Sequence, residues 1–338
     1  MRRVAEFTDN ADVPENGVPT VLVTGGAGYV GAPLCLRLRE SGYPVRALDS
    51  LMHGQHAVAE SLEAAGVHVV RGDVRDASAR AEGLAGVDAV VHLAAIVGDP
   101  ACKRDPELSD SVNVKGTRSL VADAAAAGAR RFVFASTCSN YGKMTDPNVY
   151  VTEDSELAPV SLYAEQKVAI EEELLGGGGS MEVTCLRFAT VYGVAPRMRF
   201  DLTVNEFTRD LWADRELQVF GEQFWRPYIH VDDVGRAVKL VLESSSAAVA
   251  GRVFNVGATA ENYTKLDIVD VIRGTVPTGE VVYVHRDEDP RDYRVSFDRI
   301  RTELGFAPLA TLATGVTELV SALDAGSFAD PDSSLYRN

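Results

Sequence analysis

At 338 residues, 46% of them hydrophobic and 24% charged, the chain has the size and composition of a folded globular protein with one large α/β unit or two lobes. Its formal charge of −16 argues against a nucleic-acid backbone as partner, because such binding needs basic patches that release counterions; a nucleotide-sized anion needs only a few local cations. No apolar run approaches the roughly 20 residues of a membrane span and the N-terminus lacks a signal-peptide core, so a cytoplasmic protein without a membrane partner is expected. Cys35, Cys102, Cys138 and Cys185 show no spacing suited to metal, so no metal site is expected.

Residues 1–19 are polar and read as a flexible tail. From Val21, apolar runs of strand length alternate with helical patterns: strands at 21–24, 44–49, 67–72, 89–95 and 131–136, with a first helix running to about Glu40. Such alternation predicts βαβ units and a doubly wound parallel sheet. Helices are expected at 110–127, closed by Gly128, and at 161–175. Gly176 to Gly179 predicts a flexible loop before a strand at 183–188. Beyond Gly193 come a helix at 202–213, short strands at 217–220, 253–256 and 281–285, and helices after Thr264 and Ser296. The division expected is a Rossmann domain over 20–193, rejoined by a strand and helix around 226–258, and a smaller C-terminal α+β lobe from 194–225 and 259–338.

Thr24-Gly25-Gly26-Ala27-Gly28-Tyr29-Val30-Gly31 follows a strand and opens a helix, the context in which a glycine pattern signals dinucleotide binding. Gly25 permits the tight turn, Gly28 the approach of a pyrophosphate to the helix N-terminus, and Gly31 close helix packing. Asp49, ending the next strand, suits the adenosine ribose hydroxyls and repels a 2′-phosphate. With no Lys or Arg at 50–52, NAD is favoured, although the nearby Arg46 keeps NADP open. Asp73-Val74 suits either adenine or a plain strand-end turn.

These segments, with His92-Leu93-Ala94-Ala95, Asn113-Val114-Lys115-Gly116-Thr117 and Tyr163-x-x-x-Lys167 in the same order, resemble the extended short-chain dehydrogenase/reductases, in particular the NAD-dependent nucleotide-sugar epimerases and dehydratases. The resemblance covers about residues 20–325. It implies a Rossmann fold, NAD as cofactor, a nucleotide-diphosphate sugar as substrate, and a homodimer formed through the helices at 110–127 and 161–175. It adds Tyr29, Val30, Leu93, Ala94, Ala95, Asn113, Tyr163 and Lys167 to the expected cofactor contacts.

Tyr163 and Lys167 are one helical turn apart, so the ammonium can favour the phenolate of a base whose ordinary pKa is about 10. The resemblance makes Thr137 the partner that hydrogen-bonds the reacting hydroxyl, and Ser136 a turn support. The family's 4,6-dehydratases carry Asp-Glu at the next two positions; here Cys138 and Ser139 stand there. Cys138 is a candidate proton donor or acceptor, with an inert packed thiol equally open. Candidate substrate contacts are Arg226 and, preferred over Arg291, Arg286, together with Thr190 where relatives often carry Asn; Arg197, Arg199 and Asn205 suit phosphates or a base, with a solvated face equally open, and Asp99 suits sugar hydroxyls. His92 and His230 read as structural. The reaction these imply is epimerisation through a transient keto-sugar, at C4. A dehydrogenase, dehydratase, ketoreductase or C3/C5 epimerase of the same fold using Cys138, or a non-catalytic NAD-binding protein, are the alternatives.

Overall fold

The computed structural model describes residues 17–338 except 145, 147, 148, 178, 180 and 290. Most of the expected N-terminal tail and part of the expected glycine loop therefore lie outside the described residues. The chain runs β1 (Val21–Thr24), α1 (Gly31–Glu40), β2 (Val45–Asp49), α2 (His56–Ala64), β3 (His68–Arg71), α3 (Ala77–Leu84) and β4 (Ala89–His92). Two short helices, α4 (Asp99–Arg104) and α5 (Pro106–Ser109), lead through a π-helical stretch (Asp110–Gly116) into α6 (Thr117–Ala126). Then follow β5 (Arg131–Thr137), α7 (Leu162–Gly176), β6 (Glu182–Phe188) and β7 (Thr190–Tyr192).

The remainder comprises α8 (Thr203–Trp212), β8 (Leu217–Phe220), β9 (Trp225–His230), α9 (Val231–Glu243), α10 (Ser246–Val249), β10 (Arg252–Val256), β11 (Asn262–Thr264), α11 (Lys265–Arg273), β12 (Val281–Val284), α12 (Asp298–Leu304) and α13 (Leu312–Asp324). Seven parallel strands form the central sheet in the order β10-β6-β5-β4-β1-β2-β3. This is the doubly wound Rossmann architecture. Its inner strands are apolar runs because helices cover both faces: every residue of β1 and β4 is buried.

Two small sheets lie outside this layer, β11-β9-β7 and a parallel pair β12-β8. After β9, α9 packs back on α1: a Cβ at Gly235 would lie 3.4 Å from the Arg37 side chain, and Arg37 pairs with Asp232. β10 then takes the outer edge beside β6. The helix expected at 110–127 differs at its start, where the π-helical stretch turns Asn113 toward the loop after β4; its end is as the sequence predicts, with Gly128 at φ +84° and Ala129 N donating to Ala124 O at 3.0 Å. The chain crosses over between β1 and β4, and a crevice opens at the C-terminal ends of the strands there.

Candidate active site

A cavity of about 950 Å³ occupies that crevice. Its floor is the turn after β1. Gly25 sits at φ +69°, and a Cβ there would lie 2.9 Å from Ala94 N. A Cβ at Gly31 would fall 2.0 Å from Gly25 O, so Gly31 is required inside the turn itself; Gly26, with an added Cβ 2.6 Å from that of Ala47, is the glycine that packs on β2. The N-terminus of α1 has no side-chain cap; Ala32 N donates to Gly28 O and Leu34 N to Val30 O and residue 33 is proline, so the N–H groups of Tyr29, Val30 and Gly31 are the ones that suit an anion. Gly25, Gly28, Tyr29, Val30 and Gly31 all line the cavity.

Asp49 closes one flank. Its two oxygens accept from Ala27 N and Leu51 N, both at 2.9 Å, and burial raises its pKa above the ordinary carboxylate range. Arg46 turns away, its Nη1 donating to the carbonyls of Glu82, Gly83 and Ala85. That geometry removes the sequence-based reason for keeping a 2′-phosphate open. Asp73 and Val74 line the same flank, with Asp73 held in a turn by the backbone and side chain of Arg75.

The wall of Leu93, Ala94 and Ala95 is set from behind. His92 bridges Thr24 Oγ1 at 2.6 Å and Thr117 Oγ1 at 2.8 Å; burial brings its pKa down to about 3, so it is a neutral structural group. Asn113 does not line the cavity. Its amide oxygen accepts from Ile96 N at 2.7 Å and its amide nitrogen donates to Ile96 O at 3.0 Å and to Gln166 Oε1 at 2.9 Å. Asn113 instead positions the backbone of Ile96, which does line the cavity.

Thr137, Tyr163 and Lys167 line the cavity together. Ser161 caps α7, accepting from Ala164 N at 3.3 Å, and the helix carries Tyr163, Lys167 and Glu171 on one face. Lys167 Nζ donates to Ala135 O at 2.7 Å and stands 5.8 Å from the Tyr163 ring centroid. Burial raises the Tyr163 phenol well above its ordinary value and brings the Lys167 ammonium down to about 8. Ionising Tyr163 therefore needs more positive charge than the lysine supplies alone, which an oxidised nicotinamide would add.

At the far end, Arg226, Lys265 and Arg291 converge on one carboxylate. Asp289 pairs with Arg226 at 2.9 Å and lies 3.8 Å from Lys265; Arg291 donates to Asp99 at 3.0 Å, and its backbone N–H donates to Asp289 Oδ1 at 2.9 Å. Thr190 and Arg199 also line the cavity. The three cations exceed the negative charge they share, so this end suits a phosphate-bearing ligand.

Residues 21–257 match the profile of the family described as "NAD dependent epimerase/dehydratase family". The chain belongs to the NAD-dependent epimerase/dehydratase family. It is 33% identical to a UDP-glucose 4-epimerase of Mycolicibacterium smegmatis over 88% of this chain and 96% of that one. With a dTDP-glucose 4,6-dehydratase of Streptomyces niveus it shares 31% identity over 89% and 91%. Among solved structures, the UDP-glucuronic acid 4-epimerase of Bacillus cereus in complex with UDP-glucuronic acid and NAD superposes with a TM-score of 0.82 at 25% identity, covering 90% of this chain and 99% of that one. As an epimerase/dehydratase, the protein is an NAD-dependent enzyme of nucleotide-sugar chemistry, and its uncapped α1, glycine turn and Asp49 fit that cofactor.

Besides Asn113, three residues singled out in the sequence lie elsewhere. Cys138 is sealed off at 1% exposure with Sγ donating to Arg187 O at 3.2 Å, and burial raises its thiol pKa; Ser139 lines the cavity instead. Asn205 is buried, holding Gly193 N, the Tyr29 hydroxyl and Arg199 O. Arg286 is exposed and stacks on Phe220, so Arg291 is the arginine of that segment at the cavity. Arg197, read in the sequence with Arg199 as suited to a phosphate, lines the cavity; His53, Lys265 and Tyr293 line it without a motif to announce them, and only long-range packing brings them there. Among the described residues, no group of three or more His, Cys, Asp or Glu could hold a metal, and no helix is long and apolar enough to cross a membrane.

Proposed function

We propose that this protein is a nucleotide-sugar 4-epimerase. Thr137 would hydrogen-bond the reacting hydroxyl and Tyr163 remove its proton, with Lys167 favouring the phenolate. Bound NAD would supply the hydride acceptor and return the hydride after the keto-sugar turns over, leaving no net redox change. Arg226, Arg291 and Lys265 would keep the diphosphate anchored while the sugar reorients, with Asp99 holding Arg291 in place and Thr190 beside them. The family members compared include epimerases and a dehydratase, so the choice rests on what else lines the cavity.

One observation carries it: among the described residues, the end of β5 and the turn after it line the cavity with Ser136, Thr137 and Ser139 but with no carboxylate. Among the described residues, the side-chain carboxylates that line the cavity, Asp49, Asp73, Asp99 and Asp289, are engaged by backbone N–H groups or arginines. None is placed as a free acid or base at a carbon beside the ketone, as water elimination requires. The test is a panel of UDP-, dTDP-, GDP-, CDP- and ADP-sugars followed by NMR and by absorbance of reduced cofactor. An epimer without accumulated ketone or reduced cofactor supports the assignment; a 4-keto-6-deoxy product overturns it. The same reading takes the enzyme as a cytoplasmic homodimer paired through α6 and α7, for which sedimentation at the mass of a monomer would be the contrary result.

A further inference from the structure

We propose that Arg197, on the loop between β7 and α8, is a binding residue for the dinucleotide, contacting the adenosine-side phosphate from the face opposite the glycine turn. Arg197 is 5% exposed and lines the cavity together with Asp49. Its Nη2 donates to Arg337 O at 2.9 Å, whereas its buried Nε has no hydrogen-bond partner among the described residues. The nearby carboxylates are already committed: Asp201 accepts from Arg199 at 2.9 and 2.7 Å, and Asp49 from two backbone N–H groups. A buried guanidinium left in this state is costly unless an anion completes it.

The position selects the cofactor over the sugar nucleotide. Besides its loop neighbours Arg199 and Asp201, Arg197 acts on Asp49 and His53, at and after the end of β2, where the adenosine half of the dinucleotide belongs. Arg226, Lys265 and Arg291 share Asp289 at the other end. His53 does not compete for the anion, because burial and the adjacent arginines bring its pKa down to about 4 and leave it neutral at pH 7. Arg199 continues the line, acting on both Tyr29 at the glycine turn and Tyr163 at the reactive centre.

The C-terminal segment braces the loop. Phe200 N donates to Tyr336 O at 2.9 Å, the Phe200 ring meets those of Phe328 and Tyr336 edge-on, and Asn338 N donates to Asp201 Oδ2 at 3.3 Å. Arg197 is thereby presented on a fixed backbone, so little order remains to be lost when a phosphate arrives.

Nucleotide-stripped wild type, Arg197→Gln and Arg197→Lys, each checked for folding by circular dichroism, are titrated calorimetrically with NAD⁺, with ADP-ribose, and with whichever of UDP and dTDP the wild type binds more tightly. The expected result is that Arg197→Gln binds NAD⁺ and ADP-ribose at least about tenfold more weakly, as for a lost charge-assisted hydrogen bond, while the nucleoside diphosphate binds within twofold of wild type. Arg197→Lys, which keeps the charge but not the planar fork, falls between, and it carries the test if the glutamine variant does not fold. NAD⁺ binding unchanged in the variants would reduce Arg197 to a brace for the C-terminal segment. Weakened nucleoside diphosphate binding with NAD⁺ unaffected would make it a substrate residue; either result overturns the proposal. Neither readout depends on which sugar is turned over.

Discussion

Glu171 lies behind the reactive groups, and removing its carboxylate tests how they are held. It is 2% exposed and pairs with Arg187, itself 4% exposed. It accepts from Arg187 Nε at 3.0 Å and from Ser136 Oγ at 2.6 Å. Ser136 adjoins Thr137, and Glu171 follows Tyr163 and Lys167 on α7. Glu171→Ala strands a buried guanidinium that keeps only the Tyr141 hydroxyl at 2.8 Å and Glu153 O at 3.4 Å. Breaking a buried pair in this way costs about 3–5 kcal/mol. For a chain of this length, roughly 1.5 °C per kcal/mol gives a fall in Tm of about 5–7 °C. Glu171→Gln, which keeps an acceptor, should cost about 1–3 kcal/mol. Replacing both partners by methionine should cost less than the sum of the two single changes. Calorimetry or urea unfolding measures the stability, and steady-state kinetics should show kcat falling more than KM rises. A Glu171→Ala protein that melts within 1 °C of wild type would refute the reasoning.

Because burial holds the Lys167 ammonium at about 8, below its ordinary value, the neutral form takes over at a lower pH than for a free lysine. The charged fraction is about nine-tenths at pH 7, half at pH 8 and one-tenth at pH 9, so log kcat/KM should decline above pH 8; a profile flat to pH 10 would contradict the role given to this charge. Cys138→Ala should leave kcat within about twofold at a cost of about 1 kcal/mol in stability, set by one small buried group, whereas a hundredfold loss of kcat would restore the thiol as a reacting group. Arg226→Ala should raise KM about 10–100-fold through the lost phosphate contact, with Arg286→Ala close to wild type; the reverse order in KM would show that the segment after β12 adopts another arrangement when substrate binds.

What the sequence could disclose was local. The glycine turn, Asp49 and the pairing of Tyr163 with Lys167 depend on residues within one turn or one helix face, and strand alternation was enough to place the central sheet. Asn113 and Asn205 were harder, because an amide in a motif can hold a ligand or the backbone that meets the ligand, and only the partners at Ile96 and Gly193 distinguish the two. Cys138 follows Thr137 immediately, yet the turn after β5 sends its side chain into the core and returns Ser139 to the cavity. Arg286 and Arg291 sit on one polar run, with Phe220 stacking drawing the first outward and Asp99, distant in sequence, drawing the second in. The arginines of the run after Gly193 suit an anion on sequence grounds, but which part of the cavity Arg197 enters depends on the distant C-terminal segment, and Lys265 belongs to no pattern that composition or periodicity could flag.

The most direct test uses the best substrate of the panel carrying deuterium at C4, incubated with the enzyme in ordinary water and, unlabelled, in deuterium oxide. Hydride removal and return at one carbon predicts inversion at C4 with the label retained there, and no solvent deuterium anywhere on the sugar. Loss of the C4 label would contradict the account by showing that the hydride does not return to that carbon, as in a dehydrogenase or dehydratase; deuterium gained at C3 or C5 would contradict it by showing proton transfer beside the ketone.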